Sequence, residues 1–418
     1  MLLTGILTLP LLFFVARRTL NTEYALLAMF LLAICPWHIL LSRWGLESNI
    51  LPFTFLLGYA CLLKSMPNNK WFILSCSFFA LCFYAYGTAY AAVPLFMLVA
   101  IAALLFFKRA SRKSMFVGLI VFTLVGLPIG LLVLVNSLHL NSLHIGVFTI
   151  PRYPAQARYE AISLLFNDNG LHTILHNIRI LLSLLLEQDD GLIWNIVKPF
   201  GYFYLYTFPL AIIGGFQILL DREPVHRMER LLLLGWLAVS LLIGVLQAVN
   251  VNRINLVFIP LLLCMACPLE WIRKRLKILY VLAVFSLLIG FSFFTDKYHG
   301  PDYRQQADNF FFTGLLPALD QARQFGDRPV CVTDRVNMPY IFVLFSEKPD
   351  PATYLKTIQY DDPYSSFRKV IRLGRYTFGL ANCLSDPRSV YVLSGEDPPA
   401  NGIRYSGTSY TRFQVYSP

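Results

Sequence analysis

The sequence predicts an all-α polytopic membrane protein of about ten transmembrane helices, followed by a small external α/β domain. Three observations carry that prediction. The 418 residues are 56% hydrophobic and only 14% charged, with a mean hydropathy of +0.58, too apolar for a soluble globule that must present a polar surface. Apolar runs long enough, or nearly so, to cross ~30 Å of hydrocarbon as helix recur ten times along the chain. Lys and Arg collect in every second connection between those runs, the pattern of cytoplasmic loops.

The runs lie at 1–16, 24–41, 50–64, 70–86, 88–107, 115–135, 200–220, 231–249, 254–270 and 278–294. The third is short and has to borrow flanking residues. The basic connections hold Arg17 and Arg18, then Lys64 and Lys70, then Lys108, Arg109, Arg112 and Lys113. Two more follow, with Arg222, Arg227 and Arg230, and with Arg273, Lys274, Arg275 and Lys277. Against these 15 cations stand five acids, Glu23, Asp221, Glu223, Glu229 and Glu270, so nearly all of the net charge of +11 sits on this one side. The charge is therefore a topology signal. A nucleic-acid footprint would need a contiguous basic face on a folded domain, and no such face is legible here.

The opposite connections then face outward, and two are large: 136–199 and the tail 295–418. Residues 1–294, with the loop 136–199, form the expected membrane domain. The tail has strand-like stretches at 329–333, 366–372, 389–395 and 411–416 and helix-like stretches at 305–325 and 338–346, which predicts an α/β domain. Within the large loop, 171–186 is apolar except for His172, His176, Arg179 and Ser183, which recur on one helical stripe. That is the pattern of an amphipathic helix lying in the membrane interface. Its His-x3-His spacing lacks the Glu that a zinc protease helix would carry.

Ten crossings with the carboxyl terminus outside place the amino terminus outside too. Yet Met1 opens directly into an apolar run whose cations, Arg17 and Arg18, follow it, the reverse of a signal peptide. A further crossing upstream is therefore expected. Cys35, Cys61, Cys76, Cys82, Cys264 and Cys267 read as small apolar packing residues. Cys331 and Cys383 lie in the external domain, where an oxidising compartment permits a disulfide, and the sequence leaves their pairing open.

Polar residues at the outward ends of the runs are the candidates for chemistry. Arg43 and Glu47 stand four apart, close enough to pair on a continuing helix with Trp37 and Trp44 as interfacial anchors. Alternatively, Arg43 is a cation facing an external cleft. Tyr86 and Tyr90 flank a connection with almost no loop, and read either as belt aromatics or as contacts for a sugar or prenyl chain. Gln188, Asp189 and Asp190 precede a turn glycine, with Trp194 and Asn195 just beyond. They read as a solvated helix stop or as carboxylates offered to sugar hydroxyls or a divalent ion. The turn Asn250-Val251-Asn252-Arg253-Ile254-Asn255 sets one Arg among three Asn, and a guanidinium at that depth calls for an anion, or for Glu47 or Asp190 as its partner. Its planar fork suits a phosphate.

Taken together, "HILLSRWGLESNILPF" at 38–53, "YAYGTAYAAVPLF" at 84–96, "QDDGLIWN" at 188–195 with "PFGYFYLY" after it, and "NVNRINLVFIPLL" at 250–262 resemble the GT-C glycosyltransferase superfamily. The likeness is closest to its dolichyl-phosphate-mannose protein mannosyltransferase and aminoarabinose transferase branch, and covers most of 1–294 in order. It implies an integral inner-membrane enzyme that moves a sugar from a polyprenyl-phosphate carrier to an external acceptor. Arg43 and Arg253 would hold the carrier phosphate with support from Asn252 and Asn255. Glu47, Tyr86, Tyr90, Gln188, Asp189, Asp190, Trp194 and Asn195 would contact sugar or acceptor. No cofactor is implied, though a divalent cation could bridge the carboxylates. The family carries its catalytic carboxylate in the first external loop, and that loop and the crossing before it are missing here. The acidic base is expected upstream of Met1, and a chain without it is expected to be inactive. The rival readings are a transporter or flippase of lipid-linked sugars, which would want charges at mid-membrane, and a polysaccharide polymerase or ligase.

Overall fold

The computed structural model describes residues 1–65, 70–154, 170–221, 223–363, 368–383, 388–397 and 406–417. It divides into two compact units, Met1–His299 and Gly300–Pro418.

The first unit is built of helices. In chain order they are α1 (Leu2–Thr19), α2 (Thr22–Ala33), α3 (Pro36–Arg43), α4 (Leu51–Lys64), α5 (Lys70–Leu81), α6 (Ala89–Phe106) and α7 (Arg112–Ser137). A short hairpin follows, β1 (Leu143–Ile145) and β2 (Phe148–Ile150). The unit ends with α8 (Gly170–Glu187), α9 (Phe208–Leu220), α10 (Arg227–Val245), α11 (Phe258–Arg275) and α12 (Lys277–His299).

Each apolar run contains helix, but fewer than ten helices are individually long enough to span a bilayer. Six qualify among the described residues, or seven when α2 and α3 count as one span bent by 59°. Two expected spans differ from the sequence reading for stated reasons. The run 24–41 breaks because Pro36 cannot donate the i→i−4 hydrogen bond, so α3 starts afresh with proline in its first turn. The run 200–220 begins with irregular chain, and helix starts only at Phe208, where Pro209 opens it.

Packing sorts the helices. Most residues of the stretch Asn255–Arg275, which includes α11, are buried, whereas few residues of α7 and α12 are, although those two helices are more apolar. An apolar helix left uncovered by protein needs lipid around it. Close approach of α9 to α11 depends on Gly214, where an added Cβ would stand 1.8 Å from the Cys264 carbonyl oxygen. Phe55 of α4, Phe79 of α5, Phe96 of α6 and Trp236 of α10 form an aromatic core with ring centroids 4.8–5.5 Å apart. In the basic last turn of α11, Arg273 pairs with fully buried Glu270 at 2.6 Å and also reaches Glu23, at the start of α2.

The α8 helix shows three faces. Asn177, Leu181, Leu184 and Leu185 are buried, while His172, His176 and Arg179 are exposed along one stripe and Leu175, Ile178, Leu182 and Leu186 along another. A helix with separate exposed polar and exposed apolar stripes has the composition of one that lies between water and lipid.

The second unit comprises α13 (Pro301–Phe310), α14 (Leu315–Arg323), β3 (Val330–Val332), α15 (Pro339–Glu347), α16 (Pro351–Thr357), β4 (Ile358–Asp362), β5 (Lys369–Leu373), β6 (Tyr376–Phe378), β7 (Val390–Ser394), β8 (Ser406–Tyr410) and β9 (Phe413–Ser417). Its sheet has the order β4-β5-β6-β3-β7-β9-β8, with β3 parallel to both β6 and β7 and the remaining pairs antiparallel. Val330, Val332, Val390 and Val392 from the central strands pack on Leu315, Leu319 and Val343 from α14 and α15. Cys331 and Cys383 form a disulfide. The strand-like stretches of the sequence fall on β3, β5, β7 and β9; residues 366 and 367 of one stretch lie outside the described residues.

Candidate functional site

Three segments of the first unit converge on one small hollow. It is lined by Trp37, Leu40, Leu41, Trp44 and Asn49 from α3 and the chain after it, by Trp194 and Asn195, and by Val251, Asn252 and Asn255.

The first segment turns sharply because α3 stops at Arg43 and Trp44 is extended. Asn49 locks this turn, its side-chain amide donating to the carbonyls of Leu41 at 3.1 Å and Trp44 at 3.0 Å. This ending removes the helical face that Arg43 and Glu47 were expected to share. No ion pair joins them among the described residues, and Glu47 is exposed and does not line the hollow. Arg43 instead lies over the ring of Tyr298 on α12, 5.2 Å from its centroid. Tyr298 stacks on Phe294, which meets Phe200 edge-on.

The second segment, 188–204, is positioned by Gln188. Its backbone is left-handed at φ 56°, ending α8, and its side-chain oxygen accepts from the Phe203 N–H at 2.7 Å. Gly201 is required here, since a Cβ would fall 2.3 Å from that of Gln188. The neighbouring carboxylates meet opposite surroundings. Burial pushes the Asp190 carboxyl above the usual aspartate range, only partly offset by donors from Asn195 and from the Leu192 and Val251 N–H groups. Burial also opposes the charge on Asp189, but the Gly191 N–H and Lys198, 3.0 Å away, outweigh it and hold that carboxyl low. Trp194 packs against Trp44 with the rings tilted by 45° and centroids 4.8 Å apart, joining this segment to the first.

The third segment is the turn after α10. Asn250 accepts the Arg253 N–H at 3.0 Å, and Gln247 donates to the Arg253 carbonyl at 3.1 Å. Asn177 fastens the turn to α8 through the carbonyls of Val245 and Gln247. Asn255 accepts from the Trp37 indole at 3.2 Å and donates to the Ser48 carbonyl at 3.3 Å, so one amide bridges two segments. Arg253 donates through Nη1 to the Ala248 carbonyl at 2.7 Å, and its buried Nε has no partner among the described residues. Neither Glu47 nor Asp190 pairs with it among the described residues. Gln188 Nε2 and the Tyr202 hydroxyl are likewise buried with no partner among the described residues.

Of the residues singled out from sequence, Trp194, Asn195, Asn252 and Asn255 line the hollow. Arg43 and Arg253 are each the chain neighbour of a lining residue and do not line it themselves; Gln188, Asp189 and Asp190 support its wall. Tyr86 and Tyr90 do not belong to it: they sit where α6 begins, and Tyr90 packs against Phe83. Trp37 and Asn49 line the hollow, Asn177 and Gln247 brace its third segment, and none was singled out as a site residue. Asn49 and Gln247 carried the signal of an amide at the end of an apolar run; the Trp37 indole and Asn177, within α8, did not. Among the described residues no three His, Cys, Asp or Glu side chains gather as metal ligands.

A bundle of long apolar helices followed by a carboxyl-terminal α/β unit fits a GT-C fold. Comparison with solved structures agrees: ArnT from Cupriavidus metallidurans, bound to undecaprenyl phosphate, superposes over 99% of this chain and 82% of its own at 12% identity and a TM-score of 0.51. The archaeal oligosaccharyltransferase AglB from Archaeoglobus fulgidus, in complex with an inhibitory peptide and a dolichol-phosphate, covers 82% of this chain at 14% identity and a TM-score of 0.44. The chain spans about half the length of that enzyme, 51%. No family model and no curated protein sequence matches the chain.

Proposed function

We propose that the protein is a membrane glycosyltransferase that takes a sugar from a polyprenyl-phosphate carrier for transfer to an external acceptor. The observation that carries this reading is the hollow bounded by Trp44, Trp194, Asn195, Asn252 and Asn255, with Arg43 and Arg253 beside it and a guanidinium nitrogen of Arg253 without a partner among the described residues. A carrier phosphate supplies the acceptor oxygens that such a nitrogen lacks. Indole faces pack on the C–H surface of a sugar, and carboxamides satisfy its hydroxyls in both directions. That the structural neighbour from C. metallidurans was solved with undecaprenyl phosphate bound agrees with this chemistry.

In this reading all ten apolar runs cross the membrane, the basic connections are cytoplasmic, and the hollow opens at the outer leaflet. Asp189 and Asp190 hold the sugar-binding wall, Asp189 as an anion beside Lys198 and Asp190 as an acceptor for Asn195. As the glycosidic bond breaks, charge grows on the phosphate, and cations fixed beside it stabilise the leaving group. The reading assigns the base on the acceptor hydroxyl to no residue of this chain.

The test is incubation of membranes carrying the full-length protein with a radiolabelled undecaprenyl-phosphate sugar. Protein-dependent release of sugar from the carrier is the expected result. Movement of intact carrier between leaflets without bond cleavage would favour a flippase and overturn the proposal.

A further inference from the structure

The Gly300–Pro418 unit holds a second cleft, of about 440 Å³, within the size range of small-molecule sites. It opens at the carboxyl ends of β3 and β6, two parallel neighbours whose following segments lead away to different parts of the sheet. From β3 the chain runs through α15 and α16 to β4, and from β6 it passes to β7 on the far side of β3. Open α/β sheets take their ligands at such a divergence.

The lining is mixed in a particular way. Arg368 and Lys369 supply cations, Asp334 and Asp361 supply carboxylates, Asn382 an amide and Phe378 an apolar floor. Arg335, also at the rim, has Asp397 within 3.7 Å. Arg368 is exposed and rests over the Tyr360 ring at 5.5 Å. The wall opposite is held firmly. Gly379, left-handed at φ 84°, brings the chain so close that a Cβ there would stand 3.1 Å from Asp334 Oδ2. Asn382 donates to the Phe378 carbonyl at 2.8 Å, and the adjoining Cys383 is tied to β3 through its disulfide with Cys331. A simple anion would meet two carboxylates, and a neutral ligand would leave the cations of the rim unanswered. A ligand with one anionic group and several hydroxyls satisfies both sets, the anion at Arg368 and Lys369 and the hydroxyls at Asp334, Asp361 and Asn382.

We propose that this cleft binds a phosphorylated sugar, independently of the hollow in the first unit. Isothermal titration of the full-length protein in detergent, with glucose 1-phosphate, glucose and inorganic phosphate as separate probes, tests it. Glucose 1-phosphate should bind at least about tenfold more tightly than either other probe, as expected when a charge-assisted bond and hydroxyl bonds act together. Arg368→Gln and Asp334→Asn should each weaken it about five- to tenfold, while Arg253→Lys leaves it unchanged, which separates this site from the proposed transferase site. In the unaltered protein, glucose 1-phosphate should protect Arg368 from phenylglyoxal. Equal binding of phosphate or of glucose, no saturation below about 20 mM, or unprotected Arg368 would each overturn the proposal.

Discussion

Arg253 concentrates the argument at the scale of single residues. Its Nη1 is spent on the Ala248 carbonyl, while its buried Nε has nothing to bond among the described residues. Replacing it by Lys keeps the charge and loses the fork. Donor affinity should fall about 10- to 100-fold, the worth of one charge-assisted hydrogen bond of ~1.5–3 kcal/mol. Thermal stability of the variant in detergent should change far less, and a matching loss in both would mark Arg253 as structural. The adjacent carboxylates make opposite pH predictions. Asp189, held low, contributes stability that is present above the ordinary aspartate pKa of 3.8 and is lost as pH falls toward its depressed value. Asp190, pushed up, binds its proton more tightly when folded, so its contribution is lost as pH rises through the interval above 3.8. Asp190→Asn should abolish that second loss in a melting-temperature profile against pH, and an unchanged profile would show that Asp190 ionises without cost. The amides Asn195, Asn252 and Asn255 were legible because polar groups at the ends of apolar runs need a reason. Tyr86 and Tyr90 do not line the hollow, and an aromatic near a membrane face looks alike in sequence whether it meets lipid, a neighbouring ring or a sugar. Trp37 was hidden for the same reason: its indole bond to Asn255 spans more than 200 residues.

Elements obey backbone rules that the sequence states openly and packing rules that it does not. Pro36 and Pro209 mark helix starts, and reading them as such places α3 and α9 correctly. Hydropathy alone merged those segments into continuous spans, because an apolar irregular chain scores like an apolar helix. The hairpin β1–β2 escaped for another reason: six residues of strand inside a polar loop carry too few alternations to stand out. Helix–helix contact is invisible until the fold is known, and Gly214 is the case in point. Gly214→Ala should lower the melting temperature in detergent, costing about 1–3 kcal/mol as α9 is pushed from α11. Gly215→Ala, with nothing within 4 Å of its Cβ, should be neutral or slightly stabilising. Equal effects at both positions would deny the close approach of the two helices.

The whole molecule is a helical unit of GT-C fold followed by an α/β unit. Its membrane character was legible from composition, and the alternation of charge supplied an orientation. That orientation makes a prediction of its own. Single cysteines placed at Arg109 and at Val147, in a background without other exposed thiols, should react with a membrane-impermeant maleimide from opposite sides of sealed vesicles. Labelling of both from one side would refute alternate crossing by α7. The meeting of Trp44, Trp194 and Asn255 was beyond the sequence, because residues some 200 positions apart come together only through helix packing. The central claim is that the arginines beside the hollow bind a polyprenyl phosphate at its rim, and equilibrium binding of undecaprenyl phosphate to the purified protein tests it most directly. Saturable binding that weakens about tenfold or more in both Arg43→Lys and Arg253→Lys is the predicted result; saturable binding unaltered in both variants, or none at all, would contradict it.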